Sequence, residues 1–138
     1  MKKWVSLIMV LALIIAATSP SAFAATEANY FICSYSGGTY ADGNGVVTVD
    51  FDVVGKGTLQ NLGAKSIFLY ENGSLVMYVS YLSSYYSYIM GHNCHSYGTS
   101  VSYNGTAGCT YYAIITYYGG DGTSYDTETY QTASVVAT

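Results

Sequence analysis

The clearest signal along the chain is an alternation of apolar and polar residues with a period of two. From Val47 to Val53, valine and phenylalanine occupy the odd positions, and threonine and aspartate occupy the even ones. Side chains of a β-strand point alternately to opposite faces. The pattern therefore predicts a strand whose odd positions enter a core and whose Asp50 and Asp52 face water.

Two further strand-like runs, 66–71 and 74–80, are separated by Asn72-Gly73. Both residues of a two-residue hairpin turn need positive φ, and Asn-Gly tolerates this well. The sequence therefore predicts a β-hairpin here. Gly55-Lys56-Gly57 is expected to be a flexible stretch between this hairpin and the preceding strand.

Similar runs recur along the chain at short spacing, and no segment of helical length separates them. The predicted strands are 30–35, 47–53, 66–71, 74–80, 97–103, 111–118 and 123–132. Parallel strands would need longer crossover connections, which excludes a parallel α/β sheet. We therefore expect an all-β fold, an antiparallel β-sandwich of about seven strands of the immunoglobulin or fibronectin-III type.

The segment from Gly108 to Ala113 resembles the tyrosine corner of such sandwiches, in which a tyrosine follows a glycine and enters a strand. Tyr111 and Tyr112 both fit this position. We favour Tyr111, which places Ala113 and Ile115 on the inner face of the strand.

The N-terminus has the layout of a secretory signal peptide. Lys2 and Lys3 precede the apolar run Val5 to Ala17, and Ala22-Phe23-Ala24 provides a small-residue cleavage site. The apolar run is shorter than the ~20 residues that span a bilayer. We expect a helical signal, residues 1–24, that is cleaved, leaving a single domain of residues 25–138. The layout indicates a secreted bacterial protein without a stable membrane anchor.

Composition restricts the partners and the core. All 17 tyrosines and all 15 glycines follow residue 24, the chain has no arginine, and the part after the signal keeps only Lys56 and Lys65 against eight acidic residues. A nucleic-acid binder needs a basic footprint, so this class is excluded. Valine, isoleucine, leucine and phenylalanine supply only about one fifth of the domain. Tyrosine must therefore fill part of the core.

Four blocks of the domain carry a family resemblance. They are the runs 35–53, 62–71, 90–93 and 105–112. In order and spacing the domain resembles an uncharacterised family of small secreted proteins of Gram-positive gut bacteria, known only as a domain of unknown function. The resemblance implies a β-sandwich and secretion, and it implies no catalytic residues. The tryptophans of that pattern are absent here.

His92-x-Cys94-His95 is the only cluster of soft metal ligands in the sequence. Cys33, Cys94 and Cys109 permit one disulfide, for which Cys94–Cys109 is the pair considered, with three free thiols as the alternative. His92, Cys94, His95 and Cys109 are weak candidates for a zinc or copper site. No paired ligand spacing supports such a site, so we expect neither a metal nor another cofactor.

Two acidic patterns have ordinary explanations beside their chemical ones. Asp50 and Asp52 lie about 7 Å apart on one strand face, which could suit glycoside hydrolysis, but a solvated strand face explains them. Asp42-Gly43-Asn44-Gly45 resembles part of a calcium-binding loop. It lacks the remaining acidic ligands and the bidentate glutamate of such a loop, so it is better explained as a turn. No nucleophile motif or phosphate loop occurs, so we expect no enzyme.

A mixture of tyrosine and serine between Tyr78 and Tyr88 gives the leading functional hypothesis. Such mixtures suit binding loops, because tyrosine offers rigid contact area and serine adapts its hydrogen bonds. We expect a secreted, non-enzymatic protein that binds a surface glycan or protein. The expected contact residues are Tyr81, Tyr85, Tyr86 and Tyr88. The alternatives are core packing of these rings and, for the whole chain, a small secreted β-sandwich bacteriocin or toxin.

Overall fold

The computed structural model describes residues 29–138, so the predicted signal peptide, residues 1–24, lies outside the described residues. The described chain is built from antiparallel strands and contains one short 3₁₀ turn, Ser87–Ile89. The strands are β1 (Ile32–Gly43), β2 (Val46–Glu71), β3 (Ser74–Ser80), β4 (Met90–Asn104), β5 (Thr110–Gly120), β6 (Tyr125–Gln131) and β7 (Val135–Val136). Within residues 29–138, no helix has the length and apolar character needed to cross a membrane.

β2 is the strand around which the sheet is organised. On one side β2 pairs with β1 and then with β5. On the other side it pairs with β4, as far as Gly63, and then with β3. β6 and β7 extend the sheet beyond β5. The result is one seven-stranded antiparallel sheet that curls into a half-barrel around the core. The prediction of an all-β antiparallel fold with about seven strands is confirmed.

Several predicted boundaries were wrong. The runs 47–53 and 66–71 are parts of one 26-residue strand, because Gly55-Lys56-Gly57 continues β2 instead of interrupting it. The register with β4 shifts between Val54 and Leu59, and on the other side of β2 the partner changes from β1 to β5 between Gly55 and Asn61. A strand that bends over the core can therefore serve both halves of the sheet, with glycines at the bend.

The core matches the alternation of the sequence. Val47, Val49, Phe51 and Val53 are at most 1% exposed, whereas Asp52 is exposed. The same alternation continues on β5, where every second residue from Tyr111 to Tyr117 is fully buried. These inner faces form one hydrophobic cluster.

Two Asn-Gly turns shape the hairpins. Asn72 and Gly73 have φ values of 47° and 84° and connect β2 to β3, which confirms the predicted hairpin. Asn44 and Gly45, at 53° and 78°, connect β1 to β2 in the same manner. In the Asp42–Gly45 segment, Asp42 and Gly43 end β1, and Asn44 and Gly45 form the turn, with the positive φ values that asparagine and glycine accept most readily.

The two ends of the curled sheet, β1 and β6, meet along a seam that side chains bridge. The Asn29 amide donates to Glu128 at 2.9 Å, and the backbone N–H of Phe31 donates to Asp126 at 2.6 Å. Farther along, the buried hydroxyls of Thr39 and Thr132 share a hydrogen bond of 2.6 Å. The seam therefore satisfies polar groups without a backbone ladder between β1 and β6.

Candidate functional site

Two tyrosines are fully buried in the core, in agreement with the low content of aliphatic residues. Tyr111 is fully buried, and its hydroxyl accepts a 2.8 Å hydrogen bond from the backbone N–H of Thr106 and donates to Glu71. This bond to the preceding turn is the arrangement expected of a tyrosine corner. Tyr111 rather than Tyr112 is buried and forms this bond, and Ala113 faces inward as predicted.

Tyr117 is the second fully buried tyrosine. Its ring packs against Tyr35 and Phe51, with centroid distances of 4.9 Å and 6.1 Å. Its hydroxyl donates to the carbonyl oxygen of Ser36 at 2.6 Å, so the polar tip is satisfied inside the fold. Burial raises the pKa of Tyr117 well above its usual range, so the hydroxyl stays protonated at neutral pH.

The opposite face of the same strands carries a set of partly exposed aromatic rings that we call the outer aromatic face. It consists of Phe68, Tyr70, Tyr78, Tyr112, Tyr118 and Tyr125. These residues alternate with buried ones such as Ile67 and Leu69, so they point away from the core. The face crosses four neighbouring strands, β3, β2, β5 and β6.

The rings of the outer aromatic face touch in pairs across neighbouring strands. The pairs are Phe68–Tyr78, Tyr70–Tyr112 and Tyr118–Tyr125, with centroid distances of 4.8, 5.0 and 5.1 Å. Cross-strand aromatic contacts restrict ring motion and stabilise the sheet. In two pairs the outermost ring is open to solvent, since Tyr78 is 56% and Tyr125 is 59% exposed.

The four predicted contact tyrosines divide between two places. Tyr85, Tyr86 and Tyr88 form a cluster in the turn between β3 and β4, with Tyr85–Tyr86 at 4.8 Å and Tyr86–Tyr88 at 6.3 Å. Tyr81 instead packs beside Tyr118, at 6.4 Å. Tyr81 therefore extends the outer aromatic face toward the loop. The other three form a separate cluster, in which Tyr85 and Tyr88 are exposed and Tyr86, like Tyr81, packs partly against the core.

One hydroxyl group in each set has a raised pKa and stays protonated over the neutral range. Burial raises the pKa of Tyr118, with smaller contributions from neighbouring Tyr81, Tyr125 and Asp121. Burial likewise raises the pKa of Tyr88, assisted by Tyr86 and its other aromatic neighbours. Neutral hydroxyls on rigid rings can both donate and accept hydrogen bonds.

The weak metal candidates are not brought together. His92, Cys94 and His95 lie in β4 rather than in a loop, and the Nδ1 of His92 forms a 2.7 Å hydrogen bond with Asn61. Within the part of the chain that the structure describes, no group of three or more histidine, cysteine or acidic side chains is placed to hold a metal ion.

The Cys94–Cys109 disulfide is not formed, and all three cysteines are free. Cys94 lies opposite Leu59 on β2, whereas Cys109 precedes Thr110, whose N–H donates to Asn72 just beyond the far end of β2. Most of the second half of β2 separates them at ~3.3 Å per residue. A disulfide needs Cα atoms within about 7 Å.

We therefore expect three free thiols in the purified protein. Alkylation under denaturing, non-reducing conditions followed by intact-mass measurement should give three adducts. Under native conditions exposed Cys33 should react first, whereas burial raises the pKa of Cys94 and slows its reaction. Only one adduct in the denatured, unreduced protein would contradict the free-thiol assignment.

Asp50 and Asp52 lie on the outer face of β2, away from the outer aromatic face. Their partners across the strands include Gly38, Ser100 and Gly98. Both carboxylates stand on the side of β2 opposite Phe51 and the core, as the alternation predicts. The pair lies on a strand face between small residues.

Sequence reasoning located the loop cluster but missed the outer aromatic face. The outer face of β5 consists of its even-numbered residues, from Tyr112 to Tyr118. Those positions identify the outer aromatic face only when the pairing register between β5 and β2 is also known.

Compared with protein-family models, with curated proteins and with solved structures, the chain shows no match.

Proposed function

We propose that this chain is an exported, non-enzymatic protein that binds neutral glycans on the outer aromatic face. The observation that carries the proposal is that two exposed tyrosine rings of this face each pack against a less exposed aromatic ring. Tyr125 rests against Tyr118, and Tyr78 rests against Phe68, so each exposed ring is held by an inner one. Rings that are ordered before binding lose little entropy when a ligand is bound.

The chemistry of the face favours a sugar. A pyranose presents C–H groups that pack on an aromatic ring and hydroxyls that need hydrogen-bond partners at its rim. Tyrosine supplies the apolar ring and the polar hydroxyl in one side chain. Thr127, Thr129 and Gln131 on β6 share the face and add further polar groups.

The charge of the face favours a neutral sugar over an acidic one. The chain carries a net charge of −4 and has no arginine to pair with carboxylate, sulfate or phosphate. The aromatic and polar side chains that form the outer aromatic face are themselves uncharged. An anionic polymer would therefore find no arginine there and would be repelled by the protein as a whole.

Binding is tested with an array of neutral and acidic oligosaccharides, followed by calorimetry with the neutral probes that bind. We expect Y118A/Y125A to weaken binding at least tenfold, because removing a central aromatic contact costs more than about 1 kcal/mol. The matched control is Y30A, since Tyr30 is also highly exposed but lies before β1. Binding should vary little with salt.

Three results would contradict the proposal. A blank array with folded protein would exclude a glycan ligand, and an unidentified protein captured on the same face would assign it to protein binding instead. Binding that survives in Y118A/Y125A but is lost in Y85A would assign recognition to the loop cluster. The melting temperature of each variant shows whether it remains folded.

Export and fold type belong to the same proposal. The sequence of residues 1–24 supports secretion, and the resemblance to small secreted proteins of Gram-positive bacteria agrees with it. We further propose that the two halves of the curled sheet are related to the layers of an immunoglobulin-like sandwich. The bend of β2 and the corner formed by Tyr111 support that relation.

A further inference from the structure

The curled sheet has several strand edges, and most of them are protected. β1 and β6 face each other across the seam, which is bridged by charged and polar side chains. β3 is only seven residues long, and its register with β2 shifts between Leu69 and Tyr70. Bridging side chains, short strands and bulges are devices that keep an edge from pairing with another chain.

The outer edge of β4 lacks these devices. From Gly98 to Asn104 it pairs with β2 in an unbroken register, and among residues 29–138 it has no strand on its other side. This segment contains no lysine, proline or acidic residue. Its alternate N–H and C=O groups are thus free for a further strand, and only an extended peptide backbone complements them.

We propose that β4 pairs with β4 of a second copy of this chain, antiparallel and about a two-fold axis. The segment Gly98–Asn104, which we call the open edge, is uncharged and therefore opposes no like charges when paired with itself. A two-fold axis uses the same edge of both copies and closes the assembly at a dimer. Ser100 and Ser102 are exposed on the outer face, where small side chains permit close approach.

The dimer is tested by sedimentation of the folded chain over a range of concentrations. In antiparallel pairing, positions 100 and 102 of one copy face the same segment of the other. S100K/S102K should therefore raise the dissociation constant roughly tenfold or more by like-charge repulsion. S100D/S102D should act similarly. An equimolar mixture of the two variants should regain a dimer, because opposite charges then face each other.

The control T127K/T129K places the same charges on exposed positions of β6 and should leave the dimer intact. A wild-type chain that stays monomeric at all concentrations would overturn the proposal. A dimer that S100K/S102K and S100D/S102D both leave unchanged would also overturn it, since another surface would then form the interface. Far-UV circular dichroism verifies that each variant is folded, and the mixing experiment distinguishes repulsion from misfolding.

Discussion

Tyr117→Ala should destabilise the fold by about 3–5 kcal/mol, the cost typical of removing a large buried aromatic side chain. The ring is fully buried between Tyr35 and Phe51, so its loss leaves a cavity at the centre of the core. It also leaves the carbonyl oxygen of Ser36 without its donor. Domains have a total stability of only about 5–15 kcal/mol, so the loss should be visible in a denaturant titration.

Tyr117→Phe is the matched control, because it keeps the ring and removes only the hydroxyl. We expect the unfolding free energy to fall by about 1 kcal/mol at pH 7, because the hydrogen bond to Ser36 is lost.

The raised pKa of Tyr117 predicts that the difference between wild type and this control depends on pH. The folded state favours the protonated hydroxyl, so its contribution is complete below pH ~10, the unfolded pKa, and is lost as the pH rises above it. The stability gap between wild type and Tyr117→Phe should therefore narrow above pH ~10.

A Tyr117→Ala variant as stable as the wild type would contradict the assignment of this tyrosine to the core. A difference in unfolding free energy between wild type and Tyr117→Phe that stays constant from pH 7 to pH 11 would contradict the assignment of a buried, protonated hydroxyl to Tyr117. Both experiments use unfolding free energies, so they do not depend on knowing the ligand.

Much of the strand architecture is readable from the sequence because it depends on local periodicity. The alternation from Val47 to Val53 identifies a strand and its buried face, and Asn72-Gly73 identifies a hairpin. The length of β2 is not readable in this way. Taken alone, Gly55 and Gly57 are typical of a segment that ends a strand. Hydrogen bonds to other segments of the same chain keep them in β2, for example the bond that the Lys56 N–H donates to the Phe31 carbonyl oxygen.

The candidate site is readable only in part, for a related reason. Tyr85, Tyr86 and Tyr88 are close in sequence, so a local pattern identifies them as a cluster. Tyr118 and Tyr125 meet because β5 and β6 pair in one particular register. A change of register by one residue would move one of these rings to the opposite face of the sheet. The outer aromatic face therefore depends on long-range pairing that no local pattern specifies.

The second large effect is expected at Gly63, where the chain has no room for a side chain. Gly63 lies between two strand neighbours, Met90 on β4 and Tyr118 on β5. A Cβ atom would stand 2.8 Å from the Cα of Met90 and closer still to the carbonyl oxygen of Ile89. Both neighbours are backbone atoms and cannot rotate away. Gly63→Ala should therefore cost about 1–3 kcal/mol through overpacking, measured by denaturant unfolding.

Gly57→Ala is the matched control, because a Cβ atom at Gly57 would meet no heavy atom within 4 Å. It should change the stability by no more than about 0.5 kcal/mol. The two variants also separate steric cost from the general effect of replacing glycine in β2. Because Ile89 ends the turn Ser87–Ile89, a shift of β4 that relieves the clash in Gly63→Ala would also displace the segment that carries Tyr85, Tyr86 and Tyr88. A Gly63→Ala variant with wild-type stability and unchanged tyrosine fluorescence would show that β4 does not pack against β2 as closely as described. Loss of stability with a changed tyrosine spectrum would instead show that the packing at Gly63 affects the surroundings of neighbouring tyrosines, of which Tyr118 lies directly opposite it.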